Sequence, residues 1–157
     1  MKHILIFFLM VASFAMSANA QRIQVGLTTR AFTDVNGVIY EQGQMVYYQK
    51  GRNGKVGLFS DAEQKYNVWV PSSNIKFSGY YVGTLKDSDG YVNVRKGPGM
   101  NYPVVKKLYL TGDDATPCVF FKTTNTNWHK VYEFDQNGEP GMYLGYIYYN
   151  RIVDKVE

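Results

Sequence analysis

Short apolar and aromatic runs alternate with turn signals along most of this chain, and that rhythm predicts strands. Asn36-Gly37, Asn53-Gly54, Asp89-Gly90 and Asn137-Gly138 each join a residue that tolerates positive φ to a glycine that prefers it, as tight hairpins require. Between them lie candidate strands at Ile23 to Thr28, Val38 to Tyr40, Met45 to Gln49, Val56 to Phe59 and Tyr66 to Val70. The second half offers Tyr91 to Arg95, Val104 to Leu110, Thr116 to Lys122, Trp128 to Phe134 and Tyr143 to Tyr146. No window of helical length keeps a 3.6-residue apolar period without a Gly or Pro interrupting it. Many short strands with regular turns predict an all-β protein, a sandwich or small barrels.

The first twenty residues break this rhythm. Lys2 and His3 lead into Ile4 to Met16, apolar except for Ser13, and Ala18-Asn19-Ala20 then places small residues at a cleavage position. A basic lead, a short apolar core and a small-residue exit predict a secretory signal peptide over residues 1–20. The apolar run is shorter than the roughly 20 residues that span a bilayer. Gln21 stands where a bacterial lipid anchor would need a Cys. The expected product is exported, periplasmic or secreted, without a transmembrane segment.

Composition supports strands. Sixteen Val and all 14 Tyr follow Ala20, against three Ala and six Leu. The aromatic fraction of 16% is too high, and the charged fraction of 19% too low, for a disordered chain. Losing Lys2 lowers the formal charge from +4 to +3, too weak to imply a nucleic-acid partner, which export also opposes. Cys118 is the single cysteine, so no disulfide forms within the chain. It is read as a small buried hydrophobe, with an intermolecular disulfide or a reactive thiol as the alternatives.

The two halves echo one another. Val46-Tyr47-Tyr48 has a counterpart in Val119-Phe120-Phe121, and Val68 to Ile75 has one in Leu144 to Ile152. This places a first unit over 21–77 and a second over 78–157. The aromatic stretch from Phe77 to Asp87 is the expected connection, packed rather than free.

The second half carries a recognisable pattern. In Gly90 to Val105, Asn93-Val94-Arg95 runs into Gly97-Pro98-Gly99, then Tyr102 and a further strand. Trp128-His129-Lys130-Val131 follows, and Gly145-Tyr146-Ile147 with Asn150-Arg151-Ile152 closes the series. Residues 80 to 154 thus resemble bacterial SH3-like domains. In the first half Val68 to Ile75 resembles the closing motif, Thr28-Thr29-Arg30 is a poor echo of Asn-Val-Arg, and no Gly-Pro turn follows. The resemblance implies two tandem small SH3-like barrels, the first more divergent, each of five to seven short antiparallel strands.

Alternation in Tyr91 to Arg95 sends Val92 and Val94 to the core and Tyr91, Asn93 and Arg95 to the other face. Asn93 and Arg95 either read a ligand or fix the following loop by bonding its backbone. Tyr102, Trp128, Tyr143, Tyr146, Tyr148 and Tyr149 are too many for one small core, and exposed tyrosines suit sugar rings and peptide chains. Tyr148-Tyr149 is matched to the polar Ser72-Ser73 of the first unit. The candidate ligand-binding residues are therefore Tyr91, Asn93, Arg95, Tyr102, Tyr143, Tyr148 and Tyr149.

Catalysis has little support. His129 is the only histidine after the signal, which excludes a His-rich metal site. A Cys118–His129 nucleophile pair would lack a third group. Asp87-Ser88-Asp89-Gly90 would put Leu85 and Lys96 at ligand positions of a calcium loop, so it reads as a turn. No cofactor or metal is expected. Relatives of SH3-like domains bind peptidoglycan, its stem peptides or envelope proteins. The expectation is a non-catalytic exported protein binding cell-wall glycan or peptide. The alternative is a protein–protein module, an inhibitor, immunity or assembly factor, with Asp135 to Pro140 as a candidate inserting loop.

Overall fold

The computed structural model describes residues 22–59, 66–110 and 118–154, with 66–67 as backbone only. The expected signal peptide lies outside the described residues. Within them the all-β expectation holds, with thirteen strands and two single-turn 3₁₀ helices. The first half comprises β1 (Gln24–Thr28), β2 (Phe32–Thr33), β3 (Ile39–Tyr40), β4 (Met45–Lys50), β5 (Lys55–Phe59) and β6 (Tyr66–Pro71). A 3₁₀ turn at Ser72–Asn74 leads into β7 (Ile75–Leu85). The second half comprises β8 (Tyr91–Arg95), β9 (Val104–Tyr109), β10 (Cys118–Lys122), β11 (Trp128–Phe134) and β12 (Pro140–Tyr148). A second 3₁₀ turn at Tyr149–Arg151 leads into β13 (Ile152–Val153).

One antiparallel sheet runs β6–β5–β4–β1–β7–β10–β11–β12–β8–β9, with β13 also pairing on β7, while β2 and β3 form a separate hairpin. Alternation sets the faces. In β8 it buries Val92 and Val94 and leaves Tyr91, Asn93 and Arg95 partly exposed. Burying each valine contributes about 1.5–3 kcal/mol. Leu85, Val92, Val94, Val119, Phe121, Val131, Ile147 and Ile152 meet in one core, although they come from six strands of the same sheet. A single sheet can do this only by curling around the cluster. Tyr40, Val46, Tyr48, Val56, Leu58, Val68 and Val70 form the matching core of the first half.

The stretch expected to be a connection is the long strand β7. Its start pairs with β1, through Thr28↔Ile75 and Gly26↔Phe77. Its end pairs with β10 and β13, through Phe121↔Tyr81 and Ile152↔Leu85. Gly79 and Gly83 interrupt its side-chain alternation, which hid the strand in the sequence. Strand β12 also exceeds the expected Tyr143 to Tyr146, with Pro140 opening it where no ladder donor is needed.

The registers make the two halves equivalent position by position. Gln24 faces Tyr48 as Tyr81 faces Phe121. Tyr48 faces Leu58 as Phe121 faces Val131, and Leu58 faces Val68 as Val131 faces Gly145. A register shift falls after Leu58 in one half and after Val131 in the other. The Ser72 N–H donates to Gly54 O at 2.8 Å, and the Tyr149 N–H donates to Asn127 O at 2.8 Å. A Cβ on Gly26 would meet Ile75 Cγ2 at 2.5 Å, and one on Gly83 would meet Ile152 Cγ2 at 2.5 Å. Each half is thus a strand, a hairpin, a three-strand meander, a 3₁₀ turn and a returning strand. Strand β7 closes the first and opens the second.

This equivalence revises two sequence alignments. Tyr148 and Tyr149 stand in place of Pro71 and Ser72, one residue earlier than Ser72-Ser73, because the 3₁₀ turns begin at Ser72 and Tyr149. Thr28-Thr29-Arg30 matches Leu85-Lys86-Asp87 rather than Asn93-Val94-Arg95: the Thr29 N–H donates to Asn74 O at 2.8 Å and the Lys86 N–H to Arg151 O at 2.9 Å.

The halves meet in a third core of Ile23, Val25, Phe59, Val82 and Phe120, with Met45, Tyr47, Tyr80, Tyr132 and Phe134 packed on it. It draws on matched positions: Ile23 with Tyr80, Val25 with Val82, Tyr47 with Phe120, and Phe59 with Tyr132. The Tyr47 and Phe120 rings lie 6.3 Å apart.

Candidate functional site

Strands β7, β10, β11 and β12 lie side by side, and their outward faces carry an unusual density of tyrosine and lysine. In β11 the inward residues are His129 and Val131, which turns Lys130 and Tyr132 outward. Tyr132 is opposite Tyr143 on β12, and Lys130 is opposite Tyr146. Four rings form a chain of contacts. Tyr80 meets Tyr132 edge-on at 5.2 Å, Tyr132 meets Tyr143 at 5.5 Å, and Tyr143 meets Tyr146 edge-on at 6.3 Å. Such edge-to-face contacts complement the positive ring edge with the negative ring face. Lys122 Nζ sits 4.3 Å from the Tyr80 centroid and 5.8 Å from that of Tyr132, within cation–π range. The row starts at the core between the halves, on which Tyr80 and Tyr132 pack. Its outer member Tyr143 is 46% exposed.

Beside the row lies a cleft of about 430 Å³. Lys122, Lys130, Tyr146, Pro98 and the Thr123 to Thr126 segment line it. That segment is held by its own hydroxyls: Thr124 Oγ1 donates to Trp128 O, and the Thr126 N–H donates to Thr124 Oγ1 at 3.1 Å. The cleft wall is therefore braced before any ligand arrives.

The seven residues singled out from sequence occupy several places on this half. Tyr143 belongs to the tyrosine row. Its hydroxyl is pushed up to about 12, first by burial, then by Tyr146, which shares a hydrogen bond with it, and by Tyr132. Tyr148 and Tyr149 form another cluster: Tyr148 meets Trp128 edge-on at 5.3 Å and Tyr149 at 5.1 Å. Trp128 is buried, whereas Tyr149 is 47% exposed. Tyr91 pairs with Tyr109 at 6.1 Å, and Lys107 Nζ lies 4.3 Å from its ring centroid.

Arg95 serves the loop. Its Nη1 donates to Met100 O at 3.0 Å and to Tyr102 O at 2.8 Å. Tyr102 covers Gly97, where a Cβ would collide with the phenol ring. This explains the Gly97-Pro98-Gly99 turn as a seat for that ring. Asn93 Oδ1 is buried without a hydrogen-bond partner.

Sequence reasoning missed Tyr80, Tyr132, Lys122 and Lys130. The signal for two of them was present, since alternation from the buried Val131 turns Lys130 and Tyr132 outward. Tyr80 and Lys122 could not be placed beside them without the β7–β10 pairing.

The thiol and imidazole are set apart. Cys118 is half-buried at the start of β10, opposite Thr84, and shares the face of Phe120. His129 is near the start of the antiparallel neighbour β11, opposite Ile147, and points inward. Continuing the β10–β11 register brings Cys118 level with Phe134, at the far end of the strand from His129. His129 stacks on Phe121 at 5.1 Å, with Nδ1 buried and unpaired. Its imidazole is held below the usual histidine range, first by burial and then by Arg22, with Asp154 and a backbone bond to Trp128 opposing.

Asp87-Ser88-Asp89-Gly90 is a turn closed by the Asp89 N–H donating to Asp87 Oδ1 at 2.9 Å. No group of three or more metal-ligating side chains exists among the described residues. No described helix is long and apolar enough to cross a membrane. No protein-family model matches the sequence, and no curated protein matches it significantly.

Proposed function

We propose that this chain is a non-catalytic, exported binding protein built from two bacterial SH3-like units, and that it holds cell-wall peptidoglycan or its stem peptides. The observation that carries this reading is the unbroken row Tyr80–Tyr132–Tyr143–Tyr146, capped by Lys122 at the junction of the halves. Flat phenol faces with polar tips suit sugar rings and extended peptide backbones, and a lysine among them suits a partly anionic chain. Separation of Cys118 from His129 removes the one nucleophile–base pair the sequence offered. The test is retention of the purified mature protein on purified peptidoglycan. Retention at low salt that weakens in Tyr143→Ala supports the reading, and no retention at low salt overturns it.

A protein–protein role is favoured by β9 rather than by the Asp135 to Pro140 loop. That loop is a closed turn, with Asp135 Oδ1 accepting the Asn137 and Glu139 N–H groups at 2.8 Å each. Strand β9 ends the sheet path and exposes Val104, Val105 and Tyr109. An exposed terminal strand is a template for an added strand from another protein. Crosslinking in the native cell that recovers a stoichiometric complex through β9 would favour this second role.

A further inference from the structure

The row of residues directly across strands β10, β11, β12 and β8 is Lys122↔Lys130↔Tyr146↔Arg95. Residues directly opposite one another share a face, so all four project to the same side. At about 4.8 Å per strand, the row spans roughly 14 Å. Three of its four members are cations. Two lysines directly opposed on a sheet repel, and an acid is the usual partner at such a position. None is supplied among the described residues. The ion pairs among the described residues join Arg22 to Asp154, Lys106 to Glu133 and Arg151 to Asp87, and neither Lys122 nor Lys130 takes part in one. Both lysines instead line the cleft, together with Tyr146 and the braced Thr123 to Thr126 wall.

We propose that this cleft is an anion subsite, in which Lys122 and Lys130 together hold a carboxylate or phosphate oxygen group of the ligand. The ligand's charge would relieve the lysine–lysine repulsion, so the subsite contributes affinity that neutral sugar rings do not. Lys122 is placed to serve both regions, since its Nζ also lies over the Tyr80 ring. A ligand with an anionic group beside a flat ring or extended backbone would therefore be fixed in one direction along the tyrosine row. This rests on the binding role proposed above and adds what that role leaves open, the charged group that is read and its location.

The experiment titrates the mature protein with two probes, tricarballylate and inorganic phosphate, at low ionic strength, following backbone amide shifts. Saturable binding centred on Lys122, Lys130 and Tyr146 is expected, weakened on the order of tenfold in Lys130→Gln and further in the double variant with Lys122→Gln. Both lysines are on the surface, and a melting temperature no lower than that of the parent protein would confirm that the variants fold. Preference for one probe separates a carboxylate from a phosphate source. No saturable binding, or equal binding by the double variant, overturns the subsite. Retention on peptidoglycan before and after amidation of its carboxyl groups separates this result from the broader role. Retention that ignores both amidation and the lysine substitutions, yet falls in Tyr143→Ala, keeps the tyrosine row and discards the subsite. Probe binding without any retention keeps the subsite and discards peptidoglycan as the ligand.

Discussion

The Arg151 guanidinium lies 2.9 Å from the Asp87 carboxylate, at the positions where the first half places Asn74 and Arg30. In the first half Arg30 Nε and Nη2 donate to Asn74 Oδ1 at 3.1 and 2.9 Å, so the cation is on the other strand. Both pairs tie the end of the opening strand to the 3₁₀ turn. Asp87 also accepts the Asp89 N–H, and its side chain is 7% exposed. Asp87→Ala should lower stability by about 1–3 kcal/mol, because it strips a charged group of its partner and opens the turn. Asp87→Asn should lose less, since Asn74 shows that an amide oxygen suffices for an arginine here. Urea midpoints of the two variants decide this, and equal losses would contradict it.

The two close approaches at Gly26 and Gly83 differ in what surrounds them. A Cβ on Gly26 would press on the side chains of Ile75 and Tyr48, which can shift. One on Gly83 would also meet Val153 O at 2.8 Å, which is backbone. Both alanine variants should be destabilised by about 1–3 kcal/mol, with Gly83→Ala the worse. Thermal melts of the pair test the order.

Burial of His129 sets a pH dependence. Because its folded pKa lies below the unfolded value, the unfolded chain takes the proton first. Stability is therefore full above the ordinary histidine range, near 6.5, and falls as pH drops through that value towards the lower folded one. His129→Gln should flatten this part of the profile. Urea midpoints between pH 8 and pH 5 measure it, and an unchanged slope would show that another group is responsible.

Tyrosines shielded by burial should ionise late. Tyr48, in the core of the first half, and Tyr143, in the tyrosine row, are both pushed up to about 12. An alkaline titration followed at the phenolate absorbance should leave at least two phenols neutral near pH 11, with Tyr40 also delayed by burial and by Asp34. Tyr143→Phe should remove one of them, and loss of none would contradict the Tyr143–Tyr146 hydrogen bond.

Much of the fold was legible because alternation and turn chemistry are local. The limits of β8 and β11 follow from Val92 and Val94, and from Val131, at every second position. At Asn53-Gly54 both residues do take positive φ, 55° and 68°, as the sequence implied. Strand β7 was not legible, since Gly83 is required only by Ile152 and Val153, distant in sequence, and Gly79 takes a positive φ within the strand. The site divided in the same way. Alternation and residue chemistry mark Asn93 and Arg95 as possible loop braces, and Arg95 takes that part on Met100 O and Tyr102 O while Asn93 Oδ1 stays unpaired. The tyrosine row depends on which strands are neighbours, and that is fixed by β7 joining β1 to β10. The sequence shows Tyr148 and Tyr149 as a pair, but only the 3₁₀ turn geometry sets their phase against Pro71 and Ser72.

The core joining the halves has a meaning beyond packing. Tyr47 rests on Phe120, its own counterpart, and Gln24 pairs across the sheet with its counterpart Tyr81. A contact in which each surface meets the same surface of the other is isologous, the kind that relates the subunits of a twofold homodimer. The chain thus carries a dimer's interface within one polypeptide, its two copies joined end to end by a shared strand. The two copies are nevertheless unequal: the second has Lys130 and Tyr146 where the first has Gly57 and Trp69. Covalent linkage is what permits that inequality, because a true homodimer could not have changed one face without changing both.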